Sequence, residues 1–124
     1  MANGTPKKPD EALIRQVCSM FEMFHRGPLV KITKTQLGER VGTNPRVIEM
    51  AVFELRRRGV PILADGEGYW YADNPAEFEH VLNSLRHRLA KVHGTLKALE
   101  FAREKMLAQA RREPNGQGRL VFNG

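Results

Sequence analysis

The sequence predicts a mainly α chain with one small β-hairpin, in which short helices and the hairpin precede a long, coiled-coil-like C-terminal helix. Three observations predict it. Two short helical segments are joined by a tight turn at Gly42, two strand-like runs flank Asp65-Gly66-Glu67-Gly68, and apolar residues alternate at spacings of three and four from residue 78 to residue 110. At 124 residues the chain has room for one compact domain and an appendage, and 41% hydrophobic residues suffice for a core.

The elements follow in order. Residues 1–8, rich in Lys, Pro and small residues, read as a disordered tail. Asp10 is positioned to cap a first helix, on which Leu13, Ile14, Val17, Cys18, Phe21 and Phe24 form one apolar face, and Gly27-Pro28 ends it. Leu29 to Ile32 is expected to be extended. Thr33 and Gln36 have capping-box spacing for a second helix with Leu37 and Val41 inward, and Gly42 supplies its left-handed exit. Asn44-Pro45 gives a cap and a first-turn proline for a third helix that buries Ile48, Val52 and Leu55 and ends at Gly59. Val60 to Ala64 and Tyr69 to Tyr71 are the expected strands, the first short or at a sheet edge because Pro61 has no N–H. Helix, helix-turn-helix, hairpin is the order of a winged helix-turn-helix domain, assigned to residues 9–72.

Asn74-Pro75-Ala76-Glu77 repeats the helix-start signal. The helix expected over 74–112 carries the seam Phe78, Leu82, Leu85, Leu89, Val92, Leu96, Leu99 and Met106, continued by Ala110 and broken by Arg103. Gly94 falls on its outer face and weakens it by about 1 kcal/mol. The seam is expected to form a homodimer, the alternative being that it folds back on the first helix. Residues 113–124 begin with Pro114 and read as a flexible tail.

Charge and chemistry narrow the function. The net charge of +6 favours a polyanionic partner. The excess lies on Lys7-Lys8 and along Arg86, Arg88, Lys91 and Lys97, whereas residues 9–72 nearly balance. A single cysteine, Cys18, precludes an internal disulfide, and no secretory signal or membrane-length apolar run is visible, so the chain reads as cytoplasmic with no membrane partner. His25, His80, His87 and His93 lack metal-site spacing, and Ser19 and Ser84 have no base in register; neither a catalytic residue, a metal ligand nor a cofactor is expected, and the chain reads as a non-enzyme.

The stretch from Thr35 to Ile62, with Leu37 five residues before Gly42 and Leu55-Arg56 leading to Gly59, resembles the helix-turn-helix of the biotin operon repressor-like winged-helix group. Gly66-Glu67-Gly68-Tyr69 is similar to that group's wing. No ligase domain accompanies it, so no ligase activity is carried over. Ser84-Leu85-Arg86-His87-Arg88 is similar to a segment that follows the wing in short phage and prophage proteins.

The resemblance implies that the third helix enters the major groove of double-stranded DNA, while flanking elements grip phosphates. On that implication the DNA-binding candidates are Lys34 and Thr35 at the start of the second helix, Asn44, Arg46, Val47, Glu49 and Met50 at the start of the third, and Arg57 farther along it. Asn44 has two readings, base contact or helix cap; Arg56, Arg57 and Arg58 equally suit the helix dipole. Arg86, Arg88, Lys91 and Lys97 read as a solvated face, as an auxiliary phosphate-binding surface, or as repulsion selecting an antiparallel helix pair. Phe53 is expected to be buried. Asp65 and Glu67 at the wing tip depart from a phosphate-gripping wing. Together with Met50 and Phe53 they support an alternative function, a protein-interaction module such as a phage-borne modulator of host machinery. A third alternative is an architectural nucleic-acid binder that uses the basic long helix.

Overall fold

In the computed structural model, residues 8–112 are described; of the expected tails at 1–8 and 113–124, all but Lys8 lies outside them. The described chain is mainly helical, with one two-stranded antiparallel hairpin and a long C-terminal helix. The elements are α1 (Glu11–Phe24), a 3-10 turn (Pro28–Val30), α2 (Lys34–Val41), α3 (Pro45–Arg57), β1 (Ile62–Asp65), β2 (Gly68–Tyr71), a second 3-10 turn (Pro75–Glu77) and α4 (Phe78–Arg112). The chain divides into two compact units at Leu82/Asn83, so the first turn of α4 belongs with the helices and hairpin that precede it.

Helix boundaries follow side-chain caps. Asp10 accepts the Leu13 N–H at 2.9 Å. Thr33 and Gln36 exchange bonds at 3.0 Å in both directions, completing the capping box at α2. Gly42 leaves α2 with φ 80° and ψ 35°, a conformation costly for any residue with a Cβ.

The turn between α2 and α3 is also constrained at Gly38, a position with no turn signature of its own. The Thr43 N–H donates to the Gly38 carbonyl at 2.8 Å, and a Cβ on Gly38 would stand 2.7 Å from the Thr43 oxygen. Only glycine allows the turn to close onto α2 at this distance.

One core lies among α1, α2, α3 and the inner face of the hairpin: Ile14, Val17, Phe21, Ile32, Leu37, Ile48, Ala51, Val52, Leu55 and Ile62. The opposite face of the hairpin, with Leu63, Trp70 and Ala72, packs with Val81 and Phe78 of α4. Burying such side chains is worth about 1.5–3 kcal/mol each, enough to hold the first turn of α4 in place. Glu77 secures the same junction through bonds from Trp70 Nε1 at 2.8 Å and the Asp73 and Asn74 N–H groups at 3.1 and 3.2 Å.

Several expectations are corrected. The first strand begins at Ile62 rather than Val60, because the Val60 N–H donates to Leu55 in the exit from α3 and Pro61 offers no donor. The hairpin loop shrinks to Gly66-Glu67, because Asp65 and Gly68, expected in the turn, pair across the ladder. The segment expected to be extended from Leu29 instead forms the Pro28–Val30 3-10 turn. Only its end is sheet-like: Ile32 and Tyr69 exchange bonds at 2.9 and 2.8 Å, covering the free edge of β2. Phe24 is 57% exposed, because α1 ends there and the chain turns His25 inward instead, its Nδ1 2.9 Å from the Val30 oxygen. Phe53, expected to be buried, is 65% exposed. It lies opposite Ile48, Val52 and Leu55 on α3, so the packing that buries those three turns it to solvent.

Replacing Gly38 by Ala is expected to lower unfolding stability by about 1–3 kcal/mol, since the new methyl group displaces backbone. In Gly94, where a Cβ meets nothing within 4 Å, the same replacement is expected to raise helix stability by up to about 1 kcal/mol. Chemical denaturation followed by circular dichroism reads both signs.

Candidate nucleic-acid interface

Successive residues of a helix are separated by about 100°, so burial of one side of α3 dictates what the other side displays. Val47, Ile48, Ala51, Val52 and Leu55 are buried. Arg46, Met50, Phe53 and Arg57 therefore fall on one narrow outward stripe, with Glu49 beside it; Met50 is half-buried and the other four are exposed.

The candidates divide sharply on this surface. Arg46 stands on the first turn of α3 and makes no ion pair or side-chain hydrogen bond among the described residues. Its guanidinium retains the geometry for a bidentate bond to an acceptor pair. Thr35 is likewise exposed, on the first turn of α2. Lys34 reaches across to Glu49 and pairs with it, which holds the Glu49 carboxyl below and the Lys34 ammonium above their ordinary values, the shared hydrogen bond being the larger cause in each. This pair joins the two helices and leaves little net charge there. Arg57 has a weaker tie, 3.3 Å to Glu54, and is 65% exposed at its side chain.

Two candidates occupy other roles. Val47 is 2% exposed, because it shares the inward side of α3 with Ala51; it cannot meet a groove, and its place among the recognition residues is withdrawn. Asn44 accepts the Val47 N–H at 3.0 Å, so of its two readings the structure has the cap. Of the arginines that close α3, Arg58 forms a two-pronged pair with Glu11 at 2.8 Å on both bonds and also bonds Glu54, and Arg56 donates to the Ile62 carbonyl at 2.8 Å. These fasten α3 to α1 and to the hairpin.

The acidic wing is less acidic than its sequence. Lys31 Nζ lies 2.6 Å from Asp65 and 2.9 Å from Glu67, and sits 5.1 Å from the centre of the Trp70 ring. The hydrogen bond from Lys31 holds the Asp65 carboxyl below its ordinary value. Two acids and one lysine leave a single negative charge at the tip, and Lys31 is only 17% exposed at its side chain. Neither Lys31 nor Gly38 was among the sequence candidates. A lysine 34 residues from its acid has no local pattern, whereas the place of Gly38 one residue after the buried Leu37 could have marked a close helix approach.

In the second unit, Arg86 donates to Asn83 at 3.1 Å, Lys97 lies 3.8 Å from Glu100, and Arg88 and Lys91 are exposed. The seam residues there are exposed as well: Leu85 46%, Leu89 69%, Val92 61%, Leu96 51%, Leu99 64% and Met106 44%. Leu82, next to the docked Val81, is 38% exposed. Among the described residues no group of three or more His, Cys, Asp or Glu side chains gathers as a metal site, and no helix is long and apolar enough to cross a membrane. The chain matches no family model, no curated protein and no solved structure.

The lowered Asp65, Glu49 and Glu11 carboxyls give stability a pH dependence of defined sign; at Glu11 the bond from Arg58 is the largest cause. A depressed folded-state pKa stabilises fully above the ordinary carboxylate range, and the contribution disappears as pH falls through the lowered value. The urea midpoint is expected to decline from about pH 5 to about pH 3. Lys31→Met, which removes the partner of Asp65, is expected to flatten that decline.

Proposed function

We propose that this protein binds double-stranded DNA with sequence selectivity, laying the exposed face of α3 in the major groove, and acts in transcription regulation or in phage replication control. The observation that carries the reading is Arg46: exposed, on the first turn of α3, and not engaged by another described residue. Arg46 would donate two bonds to the O6 and N7 of a guanine. Met50, one turn on, would rest against a thymine methyl, and Glu49 would accept from a cytosine amine. Thr35 and Lys34, at the open N-terminus of α2, would take a backbone phosphate, Lys34 exchanging Glu49 for it. Arg57 would meet the backbone at the far end of the same stripe. The resemblance to the biotin operon repressor-like group agrees with this use of the helix.

A second reading, a protein-binding module, is favoured by one observation. Met50 and Phe53 line a groove of about 520 Å³ together with Ile14, Arg46 and Glu49, and an exposed phenylalanine in such a setting suits a protein anchor.

Fluorescence anisotropy with labelled random and selected duplexes separates the two. DNA recognition predicts binding that weakens steeply with salt. It also predicts that Arg46→Ala costs about 1–3 kcal/mol on the selected site, roughly ten- to a hundredfold, and little on random DNA. Absence of binding even at low salt would overturn the proposal in favour of the protein module, whose anchor is then tested with Phe53→Ser.

A further inference from the structure

The exposed seam of α4 has a charge pattern that specifies its partner. Leu82, Leu89, Leu96, Arg103 and Ala110 occupy one core position of the heptad, and Phe78, Leu85, Val92, Leu99 and Met106 the other. The residues directly after the second set are Glu79, Arg86, His93, Glu100 and Leu107; those directly before the first set include Arg88, Thr95 and Ala102. These two flanking rows decide orientation, because they are the side chains that meet across a helix pair.

We propose that the seam binds a second copy of this chain in an antiparallel pair centred on residue 94, with Arg86 of each copy against Glu100 of the other. In this arrangement every core layer from 82 to 106 is used: Leu96 packs on Val92 of the second copy, Leu99 on Leu89 and Met106 on Leu82, while Phe78 stays against its own hairpin. Two-fold symmetry makes the Arg86–Glu100 attraction occur twice. Arg103 lies against Leu85 of the second copy, its stem covering the leucine and its guanidinium reaching to the edge.

The competing arrangements are poorer. A parallel in-register pair sets Arg103 against Arg103 in the core and Arg88 against His93, and brings no acid to Arg86 other than through solvent. Sliding the antiparallel pair by one heptad in one direction opposes Glu79 to Glu100. Sliding it in the other opposes Arg86 to Leu107 and so removes the Arg86–Glu100 attraction. Both ionic partners are accessible for the interaction: among the described residues Glu100 is held only by Lys97 at 3.8 Å, and Arg86 only by Asn83. The pairing does not depend on what α3 binds.

A charge exchange in the full chain tests this, with association read by sedimentation equilibrium and helix content by circular dichroism. Arg86→Glu and Glu100→Arg are each expected to weaken the dimer about tenfold, since each turns two attractions into two repulsions. The combination R86E/E100R is expected to restore the parent affinity. Within one helix the two positions stand about 21 Å apart, beyond direct contact, so rescue reports pairing between copies. A monomer at 100 µM (taken as roughly the weakest dimer worth the name), or a combined variant no tighter than the weaker single one, would overturn the proposal.

Discussion

Burial of one side of α3 is the constraint on which the other features rest. Val47, Ile48, Ala51, Val52 and Leu55 occupy almost half of the helix circumference, and together they fix its rotation about its own axis. Turning the helix by the width of one residue would expose Ile48 or Leu55, at a cost of about 1.5–3 kcal/mol for each large side chain brought to solvent. The stripe Arg46, Met50, Phe53, Arg57 is therefore presented chiefly by packing energy. No hydrogen bond is needed to aim it. The Gly38–Thr43 contact adds the second restraint, because it sets how closely the start of α3 follows the end of α2.

Ion pairs around this frame act as fasteners rather than as a free basic surface. Arg58 joins α3 to α1, Lys34 joins α2 to α3, and Lys31 joins the segment before α2 to the wing. Exposed pairs of this kind contribute little stability individually, about 0–1 kcal/mol each. Their larger consequence is electrostatic. They neutralise much of the first unit, so a polyanion approaching it would find Arg46 and Arg40, neither paired among the described residues, and, more weakly held, Arg57. Much of the unbalanced charge lies elsewhere, on α4 at Arg86, Arg88 and Lys91. A selective contact with few charges and a basic stretch with little shape would be complementary under the proposed DNA binding, because base contacts specify and phosphate contacts supply affinity.

Most of the architecture is legible in the sequence because its signals are local. Asp10, Thr33 with Gln36, Asn44-Pro45 and Gly42 each act within four residues of where they stand, and each has its expected role at a helix end. What was illegible depends on distant partners. Strand β1 starts late because the Val60 N–H belongs to the exit from α3, and the acidic wing is neutralised by a lysine on a separate segment. Phe53 is a different case. Its angular position already set it opposite the buried stripe, but hydrophobic character argued for burial, and on α3 the period prevails over composition. Val47 is the converse: it stands beside Arg46 at the start of α3, but its spacing of four from Ala51 sets it inward. Within the candidate surface the sequence located the helix, while the division between Arg46, which is free among the described residues, and Asn44 and Lys34, which are engaged, depends on the contacts each side chain makes in the fold.

The most direct measurement of the central claim is a two-dimensional amide NMR titration of the isotope-labelled chain with a short duplex. Recognition by α3 predicts that the resonances of residues 34, 35, 46, 49 and 50 shift first and together, with those of the buried residues 48, 52 and 55 following weakly. Shifts confined to residues 86–97, or none at low salt, would contradict it.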